Sequence, residues 1–198
     1  TAYSIDMTDH GSAAASSLMN ALRATYDASI AVGYSPLVST SIYCGDYSKQ
    51  QILWVMAGNY AVSQGEYTGA ELRQMMEWLV NVKDNGANPI RHRNYMPVTS
   101  GMEYKVTEYE QGKFRLEELT INGAPLDDTA TYPVFVAGTD VWIENEAYCN
   151  CPMPENLKTK RTEYAIEGAE SRSCLKDSLA VSKQFPAPSE YLTIVQGE

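Results

Sequence analysis

Basic residues are scarce: 15 lysines and arginines stand against 25 acidic residues over 198 positions, a formal charge of -10 and a pI near 4.7. Nucleic-acid binding needs a basic face that neutralises phosphates, and this balance excludes a strong binder. No apolar run approaches the ~20 residues that cross a bilayer, and no charged-then-apolar leader opens the chain at Thr1. The expectation is a soluble chain, or one whose leader lies outside this sequence. Histidine is nearly absent: His10 and His92 stand in no paired helical motif and at no zinc spacing from a cysteine, which argues against a structural transition-metal site. The cysteines, Cys44, Cys149, Cys151 and Cys174, are too few and scattered for a disulfide-stapled scaffold, and they do not settle the redox compartment. Cys149-Asn-Cys151 stays open as packing, as half of a disulfide with Cys174 or as a soft-metal chelate. There is no Gly-x-Ser-x-Gly elbow and no phosphate-cradling glycine loop with a lysine. Arg91-His92-Arg93 reads either as an anion grip or as a solvated loop.

What is present points to one folded domain. With 44% hydrophobic residues the chain buries a core, and its length suits a single domain over residues 1–198. Ala14, Leu18, Met19, Leu22 and Tyr26 share a helical face, followed by a short apolar run from Ala28 to Gly33 that reads as a strand. Ser48 with Gln51, and Thr68 with Glu71, have capping-box spacing. The second pair opens the i, i+3, i+4, i+7 face of Leu72, Met75, Met76, Leu79 and Val82. From Met102 the period becomes two, predicting a β-hairpin through Tyr104, Val106, Phe114 and Leu116. Asn122-Gly123 is a turn, and Pro133 to Ala137 is a further buried strand. A helix near Ser171 to Lys183 and a strand at Tyr191 to Val195 close the chain. The fold class is α/β (α+β mixed), a mixed sheet with flanking helices, with a polar surface insertion at about 149–170. Fourteen tyrosines and Trp54, Trp78 and Trp142 provide flat faces for a base or sugar, or for core and subunit contacts.

In order along the chain stand Gly45-Asp46-Tyr47-Ser48, Gly58-Asn59, Tyr67-Thr68-Gly69-Ala70-Glu71-Leu72, Val98-Thr99-Ser100-Gly101-Met102, Leu119-Thr-Ile-Asn-Gly-Ala-Pro-Leu126 and Ala130-Thr-Tyr-Pro-Val134. This series resembles the C-terminal domain of the 5'-nucleotidase family, from about His10 to Tyr148. The resemblance implies a substrate-binding domain that stacks a base between two aromatic rings. It also implies a partner, an N-terminal metallophosphoesterase domain holding two divalent metal ions and the nucleophilic water. This chain carries no Asp-x-His or Gly-Asn-His-Glu signature, so no cofactor and no catalytic residue is expected within it. A secreted, cell-surface or periplasmic location follows from the resemblance alone.

Several family positions differ. Tyr34-Ser-Pro-Leu-Val-Ser39 replaces Asn-x-Gly-Gly-x-Arg, so Ser39 stands where an arginine is expected. Met56-Ala-Gly-Asn59 replaces Pro-Phe-Gly-Asn, keeping Gly58 and Asn59 without the stacking phenylalanine. Glu144-Asn-Glu-Ala-Tyr148 replaces Gly-Gly-Asp-Gly-Tyr, with Glu146 in the aspartate's place. The implied substrate-binding residues are Asn59, Gly101, Trp142, Glu146, Tyr148 and Tyr34. Asn59, Glu146 and Tyr148 are expected on one concave surface, with Tyr34 or Trp142 as its aromatic wall; burial of both rings in the core is the alternative. The ligand is a nucleoside or nucleotide held weakly, and a non-catalytic binding or assembly module that has lost it is the rival function.

Overall fold

Ser12 starts the first helix because its hydroxyl accepts the Ala15 N–H at 3.3 Å, satisfying one of the donors that a helix start leaves unpaired. The computed structural model describes residues 3–34, 38–56, 58–81, 96–138 and 153–197. Helix α1 (Ala13–Thr25) buries the expected face through Ala14, Leu18, Met19 and Leu22, and Tyr26 after it stacks on Phe135 with ring centroids 4.6 Å apart. Strand β1 (Ile30–Tyr34) follows. Helix α2 (Lys49–Val55) opens with a complete capping box: Gln51 N–H donates to the Ser48 hydroxyl at 3.2 Å, and Ser48 N–H donates to the Gln51 side chain at 2.8 Å.

Strand β2 (Ala61–Thr68) runs directly into helix α3 (Gly69–Asn81), where the second expected box forms between Thr68 and Glu71. Next come β3 (Pro97–Ser100), the hairpin β4 (Glu103–Glu110) and β5 (Lys113–Ile121), the short β6 (Ala124–Pro125) and β7 (Thr131–Ala137). Asn122 and Gly123 have φ of +52° and +76°, the left-handed pair that a tight hairpin turn requires. Helix α4 (Glu155–Glu163), strand β8 (Ala165–Glu170), helix α5 (Ser171–Ser182) and strand β9 (Leu192–Gln196) complete the chain.

Two mixed sheets result. The first has order β3-β1-β7-β2-β8 and the second β6-β5-β4-β9. In the first, β1 and β7 are parallel, while β3, β2 and β8 each pair antiparallel with their neighbours. All four residues of β3, and Val134 to Ala137 of β7, are buried in succession, the mark of strands covered on both faces. Helix α1 packs on β1 and β3 and against α5, while α3 touches β2 and β3 of one sheet and β5 of the other.

The polar stretch expected as a surface insertion at 149–170 is structured from Glu155 on, as α4 and edge strand β8; residues 149–152 lie outside the described ones. Its lack of period has a physical cause. Helix α4 buries only Leu157, and no residue of β8 is fully buried, so neither leaves an apolar stripe. Among the described residues, no helix is long and apolar enough to cross a membrane.

Candidate functional site

Strand directions place several family positions at one end of the first sheet. Strand β1 stops there at Tyr34 and β7 at Ala137, β2 begins there at Ala61, and β8 finishes there at Glu170. Asn59, two residues before β2, is fixed by two polar partners. Its amide donates to the Glu170 carboxylate, and its oxygen accepts the Arg172 backbone N–H at 3.3 Å. Ser171 adds a reciprocal pair with Tyr60: Tyr60 N–H donates to the Ser171 hydroxyl at 3.0 Å, and Ser171 N–H donates to the Tyr60 carbonyl at 2.9 Å. Asn59 therefore ties the start of β2 to the start of α5.

Arg172 reaches back across the same loop, and its Nη2 donates to the Met56 carbonyl at 2.9 Å. Its Nε is shut off from solvent with no hydrogen-bond partner among the described residues. A guanidinium is thus held beside the segment 56–59. Ser39 lies nearby on the bridge between Val38 and Met56, and its hydroxyl donates to the carbonyls of Trp54 and Val55. It closes the end of α2 and brings no charge.

The six expected binding residues are divided by the structure. Asn59 and the backbone of Tyr34 share the sheet end just described. Gly101 does not join them. It follows Ser100, which pairs with Ala31 near the opposite end of β1. Its φ of +80° and the Ser29 carbonyl, which would lie 2.2 Å from an added Cβ, account for glycine there as a backbone requirement. Arg23 Nε donates to the Ser100 hydroxyl at 2.7 Å on the same turn. Trp142, Glu146 and Tyr148 lie outside the described residues. Glu170 and Arg172 are the partners that motif reading missed. Only their position at the start of the last amphipathic helix could have flagged them.

The remaining motifs hold the fold together. Glu71 accepts from Thr68 N–H at 2.8 Å and from Lys160 Nζ at 2.6 Å. Burial opposes ionisation of Glu71, but the Lys160 and Thr68 hydrogen bonds outweigh it and hold the carboxyl below its usual value. Gly69 permits close approach of another segment: an added Cβ would sit 2.1 Å from the Asp127 carbonyl, while Gly69 N–H donates to the Ala130 carbonyl at 2.9 Å. The motif at 67–72 and the stretch leading into 130–134 are two sides of one backbone junction.

The sequence profile of the 5'-nucleotidase C-terminal domain matches residues 5–139. The chain belongs to the 5'-nucleotidase C-terminal domain family. Among solved structures, the fold is similar to a 5'-nucleotidase precursor from Thermus thermophilus, with a TM-score of 0.68 and 16% identity over 100% of this chain. A Haemophilus influenzae NAD nucleotidase gives 0.65 and 12% over 96%, and a putative Staphylococcus aureus 5'-nucleotidase gives 0.59 and 15% over 93%. This chain spans 39%, 34% and 36% of those three chains respectively. No curated protein sequence matches it. In related nucleotidases the 5'-nucleotidase C-terminal domain pairs with an N-terminal catalytic domain. Among the described residues no group of three or more histidine, cysteine or acidic side chains is placed to hold a metal ion.

Proposed function

We propose that this chain is the nucleoside- or nucleotide-binding domain of a secreted, cell-surface or periplasmic 5'-nucleotidase-like metallophosphohydrolase, with a diverged pocket. Divalent metals and the attacking water belong to an N-terminal metallophosphoesterase domain, so the chain alone hydrolyses nothing. The observation that carries this reading is Asn59, the retained family residue, at the sheet end where β1 and β7 finish. The pocket combines Asn59 with Tyr34, Trp142, Glu146 and Tyr148, and Gly101 serves the fold instead. Glu146 accepts a hydrogen bond from a ribose hydroxyl, and an aromatic side chain stacks on the base. The missing phenylalanine forfeits about 1 to 3 kcal/mol of stacking and the missing arginine a similar amount, making binding about 10- to 1,000-fold weaker. Arg172 offsets part of the second loss, since its guanidinium is held at the Met56 carbonyl, and Met56 bridges to Val38, the neighbour of Ser39.

Calorimetry with adenosine and AMP tests this reading. Millimolar or tighter binding is expected, weakened by Asn59→Ala and Tyr148→Ala, with Arg172→Ala affecting AMP more than adenosine. Turnover of AMP by the chain with added divalent metal refutes the division of labour. Ser39 supports a second reading. Its hydroxyl is spent on the end of α2, where the family expects a charge, which suits an assembly module that has lost its ligand. Absence of binding to either compound favours that module.

A further inference from the structure

Helices α2 and α5 lie antiparallel, for the start of α5 meets the end of α2 through Arg172 and Met56. At the far ends of the two helices, away from Asn59, a cavity of about 540 Å³ opens between the 42–47 loop and the turn after α5. That volume falls within the roughly 300 to 1,000 Å³ of ligand pockets. Tyr3, Tyr43, Tyr47 and Phe185 line it, together with the charged Asp46 and Lys183. A second hollow of about 230 Å³ shares the 43–47 loop and extends the surface to Trp54. Tyr43 and Trp54 are 62% and 61% exposed, so two large rings are open to solvent at these adjoining hollows.

The groove is built rather than loose. Tyr3 and Ile42 exchange backbone hydrogen bonds at 2.7 and 2.9 Å. The Tyr47 hydroxyl accepts the Tyr43 N–H at 2.6 Å, closing the loop, and the Tyr47 ring packs edge-on to Phe185 at 5.6 Å. Lys183 has φ +61°, a left-handed conformation usually left to glycine at a helix end, and it lines the cavity.

We propose that this groove binds an oligosaccharide, with one sugar ring in each hollow. Flat aromatic faces stack on the C–H faces of pyranose rings. The lining offers an acceptor-only carboxylate, Asp46, and a donor-only ammonium, Lys183. A sugar hydroxyl both donates and accepts, so one ligand satisfies both. A proline-rich peptide exposes carbonyl acceptors without donors in its proline face and offers Asp46 no donor. A nucleotide phosphate meets a single lysine opposed by an aspartate. The site lies apart from the Asn59 end and does not depend on nucleotide binding there.

Calorimetric titration of the whole chain with chitotriose, cellotriose and maltotriose tests the proposal. At least one binds, Tyr43→Ala and Trp54→Ala each weaken it by up to about tenfold, and Asp46→Asn weakens it too. Arg115→Ala, on the second sheet, leaves binding unchanged, and adenosine does not compete. Because Tyr43 and Trp54 are exposed, their variants melt with the parent, which separates lost binding from lost fold. The proposal is overturned if none of the three trisaccharides binds, if binding survives both aromatic substitutions, or if a proline-rich peptide occupies the groove instead.

Discussion

Replacing Glu71 by glutamine isolates the charge that joins α3 to α4. The amide oxygen of glutamine still accepts the Thr68 N–H, so the capping geometry survives and only the ionic part is removed. Lys160 is not stranded, because it also donates to the Glu66 carbonyl at 3.1 Å and sits 5.4 Å over the Tyr67 ring. The side chains of Lys160 and Glu71 are 26% and 20% exposed, which places the pair between a solvent-screened contact of under ~1 kcal/mol and a charge-assisted hydrogen bond of about 1.5 to 3. The negative charge at the helix start adds about 0.3 to 1 kcal/mol. The expected cost is about 1 to 2 kcal/mol, or roughly 2 to 8 °C in Tm for a chain of this size. The sign with pH follows from the lowered carboxyl. Its contribution is complete above the ordinary glutamate value of 4.5 and is lost as pH falls through the lower folded-state value. Melts of Glu71→Gln and the parent, followed by circular dichroism, therefore differ at neutral pH and converge in acid. A gap of the same size in acid and at neutrality refutes an ionic origin, and equal melting at neutrality refutes the assigned magnitude.

Gly101→Ala forces a Cβ to 2.2 Å from the Ser29 carbonyl at φ +80°, with an expected loss of about 1 to 3 kcal/mol in urea denaturation. Tyr191→Phe removes the acceptor of the buried Ser12 N–H, 2.9 Å away, and lowers stability by about 1 to 3 kcal/mol, read from the thermal midpoint. Burial pushes the Cys174 thiol up despite the Tyr26 hydroxyl that donates to its sulfur at 2.8 Å. Brief alkylation with peptide mapping thus finds exposed Cys44 modified and Cys174 protected until the fold is unfolded.

Legibility from sequence follows how completely each element carries its own signals. Helices α1 and α3 combine a cap with an apolar face, and α2 has a capping box. Each is therefore visible without its neighbours. Strands β2 and β3 are not. Ala61–Thr68 fully buries only Val62, Ser63 and Tyr67, because its place between β7 and β8 is set by partners elsewhere in the chain. Pro97–Ser100 buries Thr99 and Ser100 by pairing their hydroxyls, Thr99 with the Met102 carbonyl and Ser100 with Asn20 at 2.6 Å. Those residues look like surface in a sequence. The candidate site rests on motif order, which ranks neighbours along the chain and is blind to strand direction. Motif order groups Gly101 with Asn59, although antiparallel pairing puts them at opposite ends of the sheet. It also misses Arg172, whose part depends on a helix that follows the family motifs.

The hydroxyl that holds the Ser12 N–H belongs to Tyr191, 179 residues further on, and β9 joins the second sheet only by lying parallel to β4. At about 5 to 20 residues per second, ribosomal synthesis separates those partners by about 10 to 40 s. Throughout that interval α1 lacks the tyrosine at its N-terminus, for most of it α1 also lacks the α5 surface on its flank, and β4, once made, waits for its parallel partner. The nascent chain therefore stays incompletely folded until β9 emerges.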